Sequence, residues 1–307
     1  MSVSSEVARL FDAMAPTYDQ LEPWYEHLYA RLHEILREVL APRPALARRR
    51  ALDAGCGTGV QASVLEELGY QTHGVDISPG LLALARQRFP RVRFALADVE
   101  ELPYPSGAFD AVACCGSTLS FVTAPARAVA ELGRVVRPGG LVLLECEHKW
   151  SLDLVWALAS GLAGDALGYG LSARDVCRQL ARPLREGFTA HYPSYGLLRF
   201  FTLVELDAML AAAGLRRRRV WGIHGLTNLI PSTLLHRERP GRALVRLFTT
   251  LRRADALLAR TGLERCFANS LVVLGQRHGG AHVPSESPMS RASTLSGSTT
   301  TGGRAAG

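Results

Sequence analysis

The feature that most constrains the fold is a glycine-rich turn between a short apolar segment and a helical one, Leu52-Asp53-Ala54-Gly55-Cys56-Gly57-Thr58-Gly59. Glycines at this spacing remove the Cβ atoms that would keep a ligand away from the backbone, and they allow the positive φ angles of a tight turn. The helix predicted to follow offers unpaired backbone N–H groups at its start. Such a strand-to-helix turn is typical of sheets that bind a nucleoside-bearing ligand above their strand ends.

The residues that follow this turn alternate between short apolar segments and helical ones. Strands are predicted to end or lie at residues 51–53, 72–75, 92–97, 109–113, 141–145, 218–223 and 269–275. Unbroken apolar strands are typical of a parallel sheet that is covered on both faces. The sequence therefore predicts an α/β fold with a doubly wound, seven-stranded, mostly parallel sheet, together with N-terminal helices and helical cap insertions.

The segments outside this alternation divide the rest of the chain. Residues 1–45 are predicted to form helices that close the site, and residues 46–278 to form the main domain. Two insertions, at about 151–200 and 226–263, are predicted to form a substrate cap. Residues 279–307 contain mainly Gly, Ser, Thr, Pro and Ala, which bury too little apolar surface to fold, so we predict a disordered tail.

Three carboxylates strengthen the prediction of a nucleoside site, because each closes one of three successive strands. Asp53 ends the first, Asp76 the second and Asp98 the third. A carboxylate at the second position can accept both hydroxyl groups of a ribose. A carboxylate at the third can accept a hydrogen bond from an exocyclic amine such as that of adenine.

Composition and charge exclude several classes of protein. The net charge of +7 comes from short arginine runs, which we interpret as a solvated face rather than a nucleic-acid site. Six cysteines form no C-x-x-C pair, so neither a metal site nor a redox motif is predicted. Charged residues interrupt the first apolar stretch, and glycines and Asp165 interrupt the apolar stretch 154–171. We therefore expect a cytoplasmic protein without a signal peptide or a stable membrane span.

The motifs together resemble those of the class I S-adenosylmethionine-dependent methyltransferases. The first motif of that family commonly reads D-x-G-C-G-T-G, as residues 53–59 do. The residues before position 20 resemble the opening helix of the subgroup that includes the ubiquinone and menaquinone biosynthesis methyltransferases. The remaining resemblance is carried by Gly74-Val75-Asp76-Ile77-Ser78, Asp98, Phe109-Asp110-Ala111-Val112, Arg137-Pro138-Gly139-Gly140-Leu141, and the opening residues Phe11, Asp12, Ala15, Tyr18 and Asp19.

This resemblance implies how the polar part of the cofactor, S-adenosyl-L-methionine, would be held. Asp53 and the backbone of Gly55, Cys56 and Gly57 would hold the methionine moiety, and Asp76 would hold the ribose. The resemblance also implies the surroundings of the adenine ring.

Asp98 and Val99 would flank the adenine, with Ile77 packed on its face. Tyr18 would help to close the site from the N-terminal helix.

The acceptor side of the site is predicted beyond the fourth and fifth strands, because the loop after strand four usually faces the transferred methyl group. Ser117 lies in that loop, and Glu145, His148 and Trp150 follow strand five. As candidate general bases we single out His148 and His224, since histidine changes its charge near neutral pH. The predicted substrate-binding residues are Ser117, Trp150, His191, Tyr192 and Asn228.

The predicted substrate is a small, apolar or aromatic organic molecule, because the first insertion is rich in apolar and aromatic residues. O- or C-methylation is favoured. Two alternatives stay open, a non-catalytic S-adenosylmethionine-binding protein and a dinucleotide-dependent oxidoreductase. The second is weakened because the turn reads G-x-G-x-G rather than G-x-G-x-x-G. The sequence does not specify an oligomeric state.

Overall fold

The computed structural model describes residues 3–18, 25–41, 49–192, 196–235 and 241–279 of the 307-residue chain. It opens with helices α1 (Val3–Met14) and α2 (Tyr25–Leu40), with a 3-10 turn at Ala15–Thr17 between them. Except for Gly279, the predicted tail lies outside the described residues.

The central unit alternates strands and helices as the sequence predicts. In chain order its elements are β1 (Arg50–Ala54), α3 (Val60–Glu67), β2 (Gln71–Asp76), α4 (Pro79–Arg88), β3 (Arg93–Leu96), β4 (Phe109–Cys114), α5 (Thr118–Phe121), α6 (Pro125–Val135) and β5 (Val136–Glu147).

The remaining elements complete the sheet and form the two insertions. In chain order they are α7 (Asp153–Leu162), α8 (Ala173–Leu180), β6 (Phe188–Tyr192), β7 (Gly196–Phe200), α9 (Leu203–Ala212), β8 (Leu215–Ile223), a 3-10 turn (Leu226–Leu229), α10 (Ser232–Leu235), α11 (Arg242–Leu258), a second 3-10 turn (Leu263–Cys266) and β9 (Ser270–Arg277).

Seven strands form one sheet in the order β3-β2-β1-β4-β5-β9-β8. Strands β1 to β5 pair in parallel, and β9 lies antiparallel between β5 and β8. The predicted seven-stranded, mostly parallel sheet is therefore confirmed. The order reverses between β1 and β4, which opens a crevice at the carboxyl ends of these strands.

Both faces of the sheet are covered, as the unbroken apolar strands predict. Along β5, Val142, Leu144 and Cys146 belong to one buried apolar cluster, while Leu143 belongs to the other. The first cluster includes residues of α6 and α9, and the second includes residues of α2 and α3. The helices thus lie in two layers around the sheet.

Strand β5 is longer than the sequence predicts. The Arg137-Pro138-Gly139-Gly140 segment, predicted as a turn, lies within its bounds, with Gly139 at a φ of 78°. The register with β4 shifts between Phe109 and Ala111, which accommodates this segment. At its other end β5 continues two residues beyond Glu145, to Glu147.

The first insertion contains the predicted helices together with a short hairpin. After α7 and α8 it forms a two-stranded hairpin of β6 and β7. Its aromatic residues Tyr169, Phe188 and Phe200 pack into a small core of the insertion itself. No helix among the residues that the structure describes is long and apolar enough to cross a membrane.

A buried ammonium group fastens this insertion to the sheet. Lys149 is the only lysine of the chain, and it is 0% exposed. Its Nζ donates to the carbonyl oxygens of Arg182, Pro183 and Glu186, at 3.5, 2.9 and 2.6 Å. Burial lowers the pKa of Lys149. Three donors on one compact group match three carbonyls, which a planar guanidinium does not do.

The second insertion is fastened by two carboxylates. Asp153 accepts hydrogen bonds from the backbone N–H and the hydroxyl of Ser232, at 3.0 and 2.7 Å. Asp255 accepts from the backbone N–H groups of Leu226 and Thr227, at 2.6 and 3.1 Å. Asp153 therefore joins the second insertion to the first, and Asp255 braces the second insertion internally.

Candidate functional site

The glycine-rich turn connects β1 to α3 through a left-handed backbone. Gly55, Gly57 and Gly59 have φ angles of 78°, 51° and 88°, a region that favours glycine. The N–H groups of Gly55 and Cys56 both donate to the carbonyl of Val75, at 2.8 and 2.9 Å. The turn is therefore fastened to the end of β2 by its own backbone.

The carboxylate of Asp76 organises the edge of this turn. Its Oδ2 accepts from the N–H of Gly57 at 2.8 Å, and its Oδ1 accepts from the N–H of Ser78 at 2.9 Å. Burial raises the pKa of Asp76, whereas these two backbone donors lower it. Each oxygen keeps a second lone pair, so the carboxylate can still accept the two hydroxyl groups of a ribose.

A cavity opens beside Asp76 and the turn, at the carboxyl ends of the strands. Gly57 contributes to its wall, and a Cβ built at Gly57 would meet no atom within 4 Å. The cavity is lined by Val7, Phe11, Tyr18, Gly55, Gly57, Asp76, Ile77, Leu81, Ala97, Asp98, Val99, Glu100, Gly116, Thr118, Phe121, Val122 and Thr123. Seven of the nine residues predicted to bind the cofactor are therefore brought together around one cavity.

The other two predicted cofactor residues lie behind the wall of this cavity. Cys56 is buried, and its thiol stands 3.0 Å from where a Cβ of Gly74 would lie. Its contribution is limited to the backbone, which is what the resemblance implies. Cys114, Cys115 and Cys146 are buried as well, as small core residues.

Asp53 is 1% exposed, and its Oδ2 has no hydrogen-bond partner among the described residues. Burial, followed by the charge of Asp76, raises the pKa of Asp53 to about 7. A buried acceptor without a donor is costly, and a cationic donor is the partner that stabilises it best. An ammonium group such as that of methionine has this character, so the residues present fit the cofactor that the resemblance implies.

The N-terminal helix α1 closes one side of the cavity. Asp12 on this helix accepts hydrogen bonds from the hydroxyl of Ser78 at 2.6 Å and from the N–H of Gly80 at 2.8 Å. Both donors lie at the start of α4, where unpaired N–H groups favour a carboxylate. The Phe11 ring meets the Phe121 ring edge-on, at 5.1 Å between centroids. Helix α1 is thus docked across the cavity by a charge and by an aromatic contact.

The loop after β4 brings Ser117 to the acceptor side. Its neighbours Gly116 and Thr118 both line the cavity. Ser117 has a φ of 60°, which is unusual for a residue other than glycine. Its N–H donates to Glu145 Oε2 at 2.5 Å, and its hydroxyl donates to Glu147 Oε1 at 2.7 Å. Two carboxylates at the end of β5 therefore hold this loop.

Glu147 is a residue that the sequence reasoning missed. Its Oε2 accepts from Asn269 Nδ2 at 3.0 Å, and Asn269 Oδ1 accepts in turn from Asn228 Nδ2 at 3.2 Å. Ser117 and Asn228, which were predicted independently as substrate-binding residues, are thus linked through Glu147. The sequence signal is the Glu-Cys-Glu order of residues 145–147, because alternation along a strand places both glutamates on one face.

His148 is not brought to the cavity. It is 4% exposed, and its Nδ1 lies 3.2 Å from the carbonyl oxygen of Ala268. Burial lowers the pKa of His148 to about 4, so the imidazole is neutral at pH 7. The catalytic role stays a prediction, and these surroundings favour packing between β5 and β9 instead.

The other residues predicted for catalysis and substrate binding are more scattered. His224 is half-buried, and its Nδ1 lies 3.3 Å from the hydroxyl of Thr227, outside the lining of the cavity. Trp150 is half-buried beside Lys149, with 4.9 Å between Nζ and the ring centroid. His191 is exposed on β6. Tyr192 ends the same strand, and its side chain lies outside the described residues.

A family model described as a methyltransferase domain matches residues 52–144. A demethylmenaquinone methyltransferase of Deinococcus radiodurans is 38% identical over 233 residues, which cover 72% of this chain and 90% of that protein. A malonyl-acyl-carrier-protein O-methyltransferase of Serratia marcescens is 33% identical over 143 residues, 46% of this chain and 55% of that protein. The chain spans 55 to 60% of the length of the first curated relatives that it matches.

A solved structure shows the same fold at low sequence identity. The 1,6-didemethyltoxoflavin-N1-methyltransferase of Burkholderia thailandensis, solved with bound 1,6-didemethyltoxoflavin and S-adenosylhomocysteine, has a TM-score of 0.53 and 17% identity. The match covers 91% of this chain and 92% of that one. The seven-stranded sheet is therefore that of a known fold.

Proposed function

Because this chain belongs to the class I S-adenosylmethionine-dependent methyltransferases and resembles their ubiquinone and menaquinone biosynthesis subgroup, we propose that it methylates an oxygen or carbon atom of a small, apolar or aromatic molecule. The cofactor of the family, S-adenosyl-L-methionine, is the one that the sequence predicts. The observation that carries the proposal is the cavity that gathers seven of the predicted cofactor residues.

Within this proposal each part of the cavity has a task. Asp76 holds the ribose hydroxyls, while Asp98 and Val99 flank the base and Ile77 packs on its face. Asp53, which lacks a partner at Oδ2, receives the ammonium group from behind the turn. When bound, the cofactor supplies a methyl group on a sulfonium, which is already electrophilic.

The chain's own residues then have to position the acceptor and keep water out. In-line alignment of a nucleophile with the methyl group removes the entropic part of the barrier to such a transfer. The loop at Ser117 lies beside the cavity and is fixed by two carboxylates. Helix α1 contributes Val7 and Phe11 to the cavity wall and covers it on one side.

An apolar acceptor is supported by the relatives rather than by the aromatic residues of the cap. Tyr169 and Phe188 pack inside the first insertion, so they no longer support an aromatic pocket. Two relatives carry quinone names, demethylmenaquinone and 2-phytyl-1,4-naphthoquinone methyltransferase. We therefore propose a phenol or hydroquinone that carries an apolar substituent as the first acceptor class to test.

The experiment is a transfer assay with S-adenosylmethionine that carries a labelled methyl group. The acceptors are a 1,4-naphthohydroquinone with an alkyl chain, a simple phenol and a carboxylic acid. We expect label in the hydroquinone or the phenol, and none in either with the Asp76→Ala variant as control. A protein that binds the cofactor and labels none of the three would contradict this substrate class and favour a non-catalytic binding protein.

A further inference from the structure

Two glutamates at the end of β5, Glu145 and Glu147, hold the loop at Ser117. Holding a loop does not require two carboxylates. Glu145 is 2% exposed, and Glu147 is half-buried above it on the same face of the strand. Like charges this close disfavour each other's ionisation. A loop could be held at lower cost by neutral hydrogen-bond acceptors.

Both carboxylates touch the loop that forms part of the cavity wall. Glu145 accepts from the backbone of Ser117, and Glu147 accepts from its hydroxyl. Gly116 and Thr118, the residues on either side of Ser117, line the cavity. Glu147 is thus separated from the cavity wall by a single residue, and it is the more exposed member of the pair.

The open side of this wall is bordered by polar groups as well. A Cβ built at Gly116 would lie 3.9 Å from the hydroxyl of Tyr29 and 3.9 Å from Gln61 Nε2. These two polar groups therefore border Gly116, the cavity residue that precedes Ser117. The hydrogen bonds from Ser117 and Asn269 leave a free lone pair on each oxygen of Glu147.

We propose that Glu147, paired with Glu145, accepts the proton that the acceptor molecule loses during methyl transfer, and that the acceptor therefore carries an O–H or an acidic C–H group. This inference rests on the proposed function and names the substrate class of the same site. Ser117 and Asn269 are positioning residues, because they act by orienting the carboxylate of Glu147.

The step balances without a further reactant. The acceptor atom forms a bond to the methyl carbon, and the carbon–sulfur bond breaks with its electron pair going to sulfur, which leaves a neutral thioether. The proton of the acceptor passes to an oxygen of Glu147. A tertiary amine has no proton to lose and would gain nothing from this residue.

The surroundings of Glu145 and Glu147 bring the pKa of Glu147 closer to neutral pH than that of an exposed glutamate. Burial raises the pKa of Glu147, and the charges of Glu145 on β5 and Asp153 on α7 raise it further. The hydrogen bonds from Ser117 and Asn269 lower it. Burial also raises the pKa of Glu145. The pair consequently keeps a proton at a pH where an exposed glutamate has lost it.

The test compares the protein bound to S-adenosylmethionine with the protein bound to S-adenosylhomocysteine. These ligands differ at the reacting centre by one positive charge and the methyl group. The infrared band of a protonated carboxyl group is titrated in each complex, and the spectrum of the Glu147→Gln variant is subtracted to assign it. We expect the midpoint with the sulfonium to be lower by about one pH unit or more, because a positive charge nearby favours the carboxylate.

A midpoint that is the same in both complexes would overturn the inference, because the carboxylate would then lie too far from the reacting centre to accept a proton there. If the protein binds neither ligand, the proposed function fails and not merely the base. The two failures are therefore distinguishable.

Activity supplies a second arm with the acceptor that the transfer assay identifies. Glu147→Gln should lower the turnover number by about 100-fold or more and leave cofactor affinity unchanged. Its pH profile should lose the limb that rises with pH in the wild type. Glu131→Gln, which alters a partly buried carboxylate paired with Arg134 on α6, is the matched control and should keep the wild-type profile. A Glu147→Gln variant with the wild-type rate would contradict the proposal.

Discussion

The cofactor cavity and the cap are built from different kinds of interaction. Around the cavity, backbone groups of the glycine turn bind the end of β2, and three glycines take up the left-handed conformation. In the cap, single side chains such as the buried Lys149 and the partly buried Asp153 bind several distant partners each. A site made from local backbone geometry is visible in a short stretch of sequence, whereas a site made from long-range contacts is not.

The largest effect should come from adding one methyl group to the glycine turn. A Cβ at Gly55 would stand 2.3 Å from Thr118 Oγ1 and Cγ2, at a φ of 78°. We expect Gly55→Ala to lower the free energy of unfolding by about 3 kcal/mol, because overpacking adds to the left-handed strain. Gly57→Ala introduces left-handed backbone strain, but its Cβ meets no atom within 4 Å. We expect this variant to lower the free energy of unfolding by about 1 kcal/mol. Urea titration measures the free energy of unfolding of both variants. Equal losses of stability would show that backbone strain, and not the contact with Thr118, causes the effect at Gly55.

The next effect lies in the cap. Lys149→Met leaves three carbonyl groups without their donor, and we expect it to lower the free energy of unfolding by about 2 kcal/mol. Lys149→Arg should not restore it, because the planar guanidinium does not fit a compact site.

A chemical measurement sharpens this prediction. Lys149 is the only lysine, so it is the only side chain that an amine-reactive reagent modifies. We expect labelling at Lys149 to be slow in the native protein and fast in urea. Rapid labelling of the native protein would show that the cap opens readily. It would contradict the claim that buried side chains such as Lys149 hold the cap in place.

The pH dependence of stability tests the burial of Asp53. The pKa of Asp53 is about 7 in the folded protein, against 3.8 for an exposed aspartate. Between pH 3.8 and 7 the folded protein therefore keeps a proton that the unfolded chain has lost. The free energy of unfolding should therefore fall as pH rises from about 4 to about 7, by at most about 1.4 kcal/mol per pH unit. Asp53→Asn should remove this contribution. Buried His148 acts in the opposite direction below pH 6.5. Glu147 acts in the same direction as Asp53, so the contribution of Asp53 is the difference between the wild type and Asp53→Asn from pH 6.5 to 7.

The smallest effect concerns the docking of helix α1. Asp12→Ala removes the acceptor for Ser78 and Gly80, and we expect it to weaken cofactor binding by about fivefold, which corresponds to about 1 kcal/mol. The dissociation rate should account for the change, since α1 covers the cavity. A variant with an unchanged dissociation rate would show that the aromatic contacts of Phe11 hold the helix alone.

The sequence predicts the fold and the cofactor side closely, because glycines, strand-ending carboxylates and apolar alternation are local signals. Ser78 as helix cap and the order Asp53, Asp76 and Asp98 follow directly from such signals. The acceptor side was predicted less well. The predicted fifth strand ends at Glu145, so the sequence analysis assigns no role to Glu147, and its partner Asn269 lies 122 residues away. Nothing in the local sequence shows that Lys149 would reach the loop at 182–186.

The most direct test of the central claim is calorimetry with S-adenosylmethionine on the wild type and on the Asp76→Ala and Glu147→Gln variants, with NADH as a control ligand. The account predicts micromolar binding to the wild type and to Glu147→Gln, binding at least about 100-fold weaker to Asp76→Ala, and none of NADH. Unchanged affinity in Asp76→Ala, or binding of NADH in place of S-adenosylmethionine, would contradict it.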